Sequence, residues 1–313
     1  MDYINFDIIN IISKYLDYID IINLYTINKN FFNIYKNNYT HILSKQIVNI
    51  NKIIKYDIFN KYPNIKIKIN NVNNKLLNNN IYGINIFNDN ILGCDIYDLL
   101  DFDKLEEINL SFSTVYNINL LNNFDNLTTL NLSFIKYYDD FTILNNFNLK
   151  TLNVSFTNID INILSNLINL TTLNLSNTNI DNINILSNMI NLKILNLSNT
   201  NINDLEPLKE LYNLLYLNLS FTKILSIEYL INLINLTELD LSNTKIFNLE
   251  PLINMINMTN LNLHNTKIRD IKLLENLTNL KILDLSFNKI YNSYVLDKLN
   301  LIHIDIYKTK KLI

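Results

Sequence analysis

Apolar positions recur along the last two-thirds of the chain in one pattern, L-x-x-L-x-L-S-x-T-x-I-x-x-I/L, followed by further apolar residues about three apart. Leu105, Leu127, Leu149, Leu170, Leu192, Leu214, Leu236, Met258, Leu280 and Leu301 open successive copies, so the unit returns every 21 or 22 residues. A unit of this size cannot bury its own apolar face, and self-similarity at such a period marks a solenoid in which neighbours bury it together. Within one unit, Leu195-Asn196-Leu197-Ser198 alternates with period two, as a strand buried on one face does. Asn199-Thr200-Asn201 then turns the chain. Ile202, Leu205, Leu208 and Leu211 follow at spacing three, which predicts a short 3-10 or irregular segment on the outer side. Stacked units predict a parallel sheet with strands about 4.8 Å apart, so ten of them span roughly 45–50 Å.

Residues 6–60 lack this period. Ile8, Ile9, Ile12, Tyr15 and Leu16 fall on one helical face, and Asp20 is placed to cap a second helix carrying Ile21, Leu24, Tyr25 and Ile27. Phe31, Phe32, Ile34 and Tyr35 form a third apolar cluster, and helical pattern continues from about Tyr39 to Phe59. The pattern therefore predicts a small all-α module over 1–60, degenerate first repeats and a cap over 61–104, and about ten units over 105–313. In the middle stretch Ile65-Lys66-Ile67-Lys68-Ile69 alternates as an edge strand would, and Ile81, Ile84 and Ile86 fit the strand template. At the far end Ile304 and Ile306 predict a last strand. Lys308, Lys310 and Lys311 follow it, charges expected to discourage edge-to-edge pairing.

Composition narrows the classes. Hydrophobic residues make up 48% of the chain, enough for a sizeable core, yet apolar runs stay far short of the roughly 18 residues a membrane helix needs. The opening MDYINFDIIN has acids where a secretory signal would have Lys or Arg, and the single Cys94 fits a reducing compartment. An intracellular location, cytoplasmic or nuclear, is expected. The net charge is −3 with both signs mixed, which argues against a nucleic-acid partner. Asn and Ile are over-used, Gly occurs twice and Trp never, a bias matching codon drift in an AT-rich genome. Asn is thus the default polar residue. Asn-x-Ser/Thr triplets such as Asn174-Leu175-Ser176 arise because the repeat sets Asn and Ser on either side of a core Leu.

With these residues in view, the repeats resemble the leucine-rich repeat, L-x-x-L-x-L-x-x-N-x-L, in its short 22-residue class, for example LNLSNTNINDLEPLKEL. The resemblance implies an α/β leucine-rich-repeat solenoid, with parallel strands on the concave face and short 3-10 or irregular segments on the convex face, plus the all-α N-terminal module. Pro207 and Pro251 share one place in their units, suited to the first turn of a helical segment. The family's Asn at the ninth position is replaced by Thr157, Thr178, Thr200, Thr222, Thr244 and Thr266, and only Asn288 keeps it. A hydroxyl is shorter than an amide, so a threonine ladder with less complete backbone satisfaction is expected. FDIINIISKYLDYIDIINLYTINKNFFNIY resembles an F-box: Ile8, Ile9, Ile12, Tyr15 and Leu16 match its first helix, Asp20-Ile21 its Asp-Leu step, and Asn28-Lys29-Asn30-Phe31 its last element. Asn5-Phe6 stands where the F-box has Leu-Pro. The whole resembles the F-box repeat proteins of AT-rich giant DNA viruses of the Mimivirus kind. That implies a substrate receptor of a Skp/cullin/F-box-type ubiquitin ligase, monomeric outside the complex and acting in the host cell. Phe6, Ile8, Ile9, Ile12, Tyr15, Leu16 and Ile21 would then bind a Skp-type adaptor, and the repeats a protein target. The alternative reading makes the N-terminal helices only a cap of a solenoid with no ubiquitin link.

Outward-pointing strand positions locate the target site. Asn or Asp fills one column, and Ser fills the next, broken by His264. A neighbouring column varies: Glu107, Thr129, Thr151, Thr172, Ile194, Tyr216, Glu238, Asn260, Ile282 and His303. Variation within a regular array marks where specificity can reside, so Tyr216, Glu238, Asp240, His264, Ile282, Asp284 and His303 are the candidate target-binding residues of the concave face. Phe112, Phe134, Phe156, Phe221 and Phe287 share the eighth position and predict an aromatic row at the rim, each ring packing over a neighbouring turn. Catalytic chemistry finds no footing. Three His and one Cys do not make a spaced metal set, and Gly83 and Gly93 cannot form a phosphate loop. No enzyme, no metal and no cofactor are expected.

Overall fold

The computed structural model describes residues 67–69, 81–85, 105–113, 118–135 and 141–312. The helical module expected over 1–60 lies outside them, as do Ile86 and Cys94. Twelve strands form one parallel sheet in chain order. They are β1 (Ile67–Ile69), β2 (Ile81–Asn85), β3 (Glu107–Asn109), β4 (Thr129–Asn131), β5 (Thr151–Asn153), β6 (Thr172–Asn174), β7 (Ile194–Asn196), β8 (Tyr216–Asn218), β9 (Glu238–Asp240), β10 (Asn260–Asn262), β11 (Ile282–Asp284) and β13 (His303–Asp305). From β3 on, each three-residue strand sits in register with the next, and its middle residue is buried as far as β11. Outer 3-10 segments return the chain, among them Asn184–Asn188, Glu206–Leu208, Glu228–Leu230 and Glu250–Leu252. Pro207 and Pro251 occupy the first turn of theirs, where a missing N–H costs nothing. The fold is a leucine-rich-repeat solenoid.

The unit-opening apolar residues from Leu105 to Leu280 are all buried in a single continuous core. A fully buried Leu side chain contributes about 1.5–3 kcal/mol by leaving water, and each unit supplies several. Leu301 is only partly buried, because no further unit among the described residues covers it.

Asparagine, the chain's most frequent polar filler, does unit-locked work here. At the end of β3 to β8 and of β10 its Oδ1 accepts the N–H two residues on, as in Asn131 to Ser133 and Asn196 to Ser198, both 3.0 Å, and Asp does the same at the end of β9, β11 and β13. This Asx turn ends the strand. Just before the opening residue of five successive units, a second Asn reaches the preceding unit. Asn191, Asn213, Asn235, Asn257 and Asn279 donate Nδ2 to carbonyls of Ile168, Ile190, Tyr212, Ile234 and Ile256 at 2.8–3.2 Å. The composition-based view of Asn as a default residue is corrected at these periodic positions.

The eighth position holds a further surprise. Ten successive units put it at φ between 49° and 61°: Phe112, Phe134, Phe156, Asn177, Asn199, Phe221, Asn243, Asn265, Phe287 and Lys308. Asn tolerates this left-handed geometry, whereas a bulky Phe does so at a cost of roughly 1–2 kcal/mol. Phe112, Phe134 and Phe156 stack on one another, with ring centroids 4.3 and 3.7 Å apart, so the expected row exists in three successive units. Asn199 and Asn265 instead bond to the amides of Asn177 and Asn243, 2.6 and 2.9 Å away. Side chains at this position therefore pair from unit to unit.

The ninth-position threonines are buried, but they make no ladder. Thr157, Thr178, Thr200, Thr222 and Thr244 each donate to the carbonyl three residues back in their own unit, at 2.6–2.7 Å. These five hydroxyls stay within their own coil, whereas Thr309, the ninth residue of the last unit, donates back to Leu285 O of the preceding coil at 2.7 Å. Asn288 also reaches the preceding coil, bonding Leu263 O at 2.7 Å and Leu285 O at 3.0 Å while accepting the N–H of Thr266. Lys310 and Lys311 follow the last strand of the main sheet. They form β14 (Lys310–Lys311), which pairs in parallel with β12 (Lys289–Ile290) and is one edge of that two-stranded ladder. Lys308 lies over the rings of Phe287 and Tyr307, about 5 Å from each.

Candidate functional site

The concave face is made of the first and third residues of each strand, which point away from the core because strand side chains alternate. Sheet register turns the sequence columns into physical rows. Tyr216, Glu238, Asn260, Ile282 and His303 stand side by side, as do Asn218, Asp240, Asn262, Asp284 and Asp305.

Two shallow grooves divide this face. The one over the earlier units has a volume of about 370 Å³ and a floor mostly of threonine and asparagine, Thr129, Thr151, Thr172, Asn131, Asn153 and Asn174 among them, with Glu107 at one end. The one over the later units, about 350 Å³, is lined by Tyr216, Glu238, Asp240, Ile282, Asp284 and His303, with Asn260, Asn262 and Asp305. Tyr216 borders both. Six of the seven residues singled out from the sequence thus share one groove. Its floor carries four carboxylates, Glu238, Asp240, Asp284 and Asp305, and an exposed apolar side chain, Ile282. Asp305 was missed, although it follows Asp284 by one unit length.

His264 is the exception. It stands outside the groove at the turn beyond β10, where its Nδ1 lies 2.6 Å from Ser286 Oγ and its ring meets Phe287 edge-on at 5.1 Å. Ser286 Oγ in turn donates to Asp284 Oδ1. Ser286 Oγ thus links the His264 ring to the Asp284 carboxylate. Burial of Ser286 makes this chain of bonds a brace between units. His264 and His303 therefore do not converge on a common point of the groove.

The acids are partly committed to the scaffold. One oxygen of Asp240 accepts the Ser242 N–H, one of Asp284 the Ser286 N–H, and one of Asp305 the Tyr307 N–H, each at 2.8 Å. Their negative charge still faces the groove. Among the described residues no group of three His, Cys, Asp or Glu side chains is placed to hold a metal ion, and no helix is long and apolar enough to cross a membrane. An open floor with fixed charge, one tyrosine and one isoleucine suits recognition of another surface. The adaptor-binding residues expected at Phe6, Ile8, Ile9, Ile12, Tyr15, Leu16 and Ile21 lie outside the described residues.

No protein-family profile matches the chain, and no curated protein sequence does. Solved structures do. An internalin (inlF) from Listeria monocytogenes matches at 26% identity with a TM-score of 0.64, over 75% of this chain and 76% of its own. The functional domain of InlJ from Listeria monocytogenes, which includes a cysteine ladder, matches at 20% identity and TM-score 0.54, over 74% and 54% of the two chains. The leucine-rich-repeat ectodomain of the Arabidopsis receptor kinase HAESA, solved with a peptide hormone, matches at 20% identity and TM-score 0.61, over 74% and 43%. At 20% the last two speak to the fold alone. The likeness to these structures shows the leucine-rich-repeat fold.

Proposed function

We propose that this chain is a non-catalytic scaffold that holds a protein target on the concave face of its later repeats. The single observation behind this reading is the gathering of Tyr216, Glu238, Asp240, Ile282, Asp284 and His303 in one open groove. A regular array spends its invariant positions on its own hydrogen bonds, so partner choice falls to the variable ones. The solved HAESA ectodomain holds a peptide ligand, which makes such a use of the fold familiar. In its finer form the proposal joins this solenoid to the F-box-like segment. The protein would then be an intracellular substrate receptor of a Skp/cullin-type ubiquitin ligase, the adaptor packing on the apolar face of Ile8, Ile12 and Leu16.

Two measurements test the two parts separately. Purified full-length protein is mixed with a tagged Skp-type adaptor. Capture is expected, and Ile12→Glu with Leu16→Glu should abolish it while circular dichroism of the repeats is unchanged. Failure of the parent protein to capture adaptor removes the ligase reading and leaves a scaffold whose N-terminal segment only caps the solenoid. Proximity labelling in cells compares the parent with Tyr216→Ala/Ile282→Glu. Labelled proteins that depend on the two residues support the concave site, and an identical labelled set overturns it.

A further inference from the structure

A second outward face runs along the side of the coil, just beyond the turn that follows each strand. After the buried ninth residue the chain is extended, so side chains alternate again. Thr222, Ile224, Thr244, Ile246, Ile268 and Ile290 point inward and are buried. Between and after them the tenth and twelfth positions are exposed. The tenth is lysine in five successive units: Lys223, Lys245, Lys267, Lys289 and Lys310. The twelfth is Leu225, Phe247, Arg269 and Tyr291, with Leu225 and Phe247 exposed by 57% and 69%. Backbone bonds from unit to unit hold this face flat. Lys223 N–H donates to Ile202 O, Lys267 N–H to Ile246 O and Lys310 N–H to Asn288 O, at 2.9–3.0 Å, and β12 pairs with β14.

The five lysines make a straight basic column. Four steps of strand-like spacing give it a length of roughly 19 Å. None of the five lies within ion-pair distance of a carboxylate among the described residues. Asp270, close to Lys267 in sequence, is held instead by Asn292 Nδ2 and the Lys272 N–H. Lining up like charges at such spacing is unfavourable unless an anionic partner offsets it. The three units before Lys223 carry Asn158, Asn179 and Asn201 at the same place, so the repeat does not itself require lysine.

We propose that this lateral face docks an extended acidic segment of a partner protein whose apolar side chains rest on Leu225, Phe247 and Tyr291. A segment of about six extended residues matches the column at roughly 3.4 Å per residue. Charge complementarity selects an anion, and the adjoining Leu225, Phe247 and Tyr291 select a peptide over a phosphate backbone. The acidic floor of the concave groove and the net charge of −3 further oppose a long polyanion. This face is distinct from the concave groove, and the proposal stands or falls without it.

The test uses the full chain and a fluorescein-labelled ten-residue peptide, EELLEELLEE, whose extended form shows acid and leucine on both faces. Fluorescence anisotropy at low salt is expected to show saturable binding. Lys223→Glu/Lys245→Glu/Lys267→Glu should weaken it at least tenfold, Phe247→Ala several-fold, and Tyr216→Ala not at all. The charge-reversed peptide KKLLKKLLKK should not bind. Should charge reversal disturb the coil by circular dichroism, the three Lys→Gln replacements take its place, with the same direction expected. Absence of saturable binding, equal affinity for the triple variant, or equal loss with Tyr216→Ala overturns the proposal. Tighter binding of a 15-nucleotide oligothymidylate than of the acidic peptide does so too, and makes the face a nucleic-acid surface.

Discussion

Asn288 offers the most direct measure of what holds one coil to the next. Its amide donates to Leu263 O at 2.7 Å and Leu285 O at 3.0 Å, and its Oδ1 accepts from the Thr266 N–H and hydroxyl, each at 3.1 Å. Asn288→Thr installs the residue that seven other units carry. The new hydroxyl keeps the bond to Leu285 O, as Thr200 keeps its own to Leu197 O. Leu263 O retains the Thr266 hydroxyl. What goes is one direct bond, worth about 1 kcal/mol, and the only acceptor of a buried N–H, whose desolvation costs about 1–3 kcal/mol. A total near 2 kcal/mol is expected, and near 3 kcal/mol for Asn288→Ala, which loses the Leu285 bond as well. Thr200→Val, which removes a single 2.7 Å bond, calibrates the scale at about 1 kcal/mol. Amide hydrogen exchange at Thr266 reads the effect locally, since solenoid ends open in parts. Two kcal/mol is a roughly thirtyfold loss of protection. A loss below about twofold, or 0.5 kcal/mol, would show that the bridging amide stabilises nothing, and the account of the ninth position would be wrong.

Other positions make equally sharp demands. Phe134 holds a φ of 54° and touches two rings, so Phe134→Asn should change stability by less than about 1 kcal/mol, relief of strain offsetting lost stacking. Phe134→Val has no such relief, since its β-branch opposes the left-handed turn, and should cost more than about 2 kcal/mol. Thermal unfolding of the two variants checks the order, and equal melting temperatures would refute it. Asp270 has its carboxyl held below its ordinary 3.8 by the Asn292 amide and the Lys272 N–H. A depressed folded-state value contributes stability that is complete above the unfolded pKa and is lost as pH falls through the lower, folded one. Urea midpoints measured from pH 5 down to pH 2 should therefore fall less steeply for Asp270→Asn than for the parent, and parallel curves would contradict the assignment.

Much of this was legible beforehand because it rests on period and polarity. Leu192, Leu195 and Leu197 announce a buried strand wherever they recur, and Ile202, Leu205 and Leu208 the returning outer segment. The concave groove was legible to the same extent, since Tyr216, Glu238, Asn260, Ile282 and His303 follow one another at one unit length and register places them in a row. His264 misled because the column it interrupts lies beyond the strand, where the Asx turn directs the side chain to Ser286. The lysine column was present in the sequence at steps of 21 or 22 residues. It went unread because only the extended run after the turn shows that tenth and twelfth positions share a face.

The amino-acid order alone determined that a coil must form and which side chains fill it, since burying one apolar stripe per unit depends only on spacing. Tertiary structure alone decided what the polar residues do. Asparagine at the strand end, at the left-handed turn and ahead of an opening apolar residue is one residue type in three roles. Those roles differ by which neighbour's carbonyl or N–H comes within about 3 Å once coils stack. Hydrogen bonds are short-ranged and directional, so that assignment has no counterpart in hydrophobic pattern.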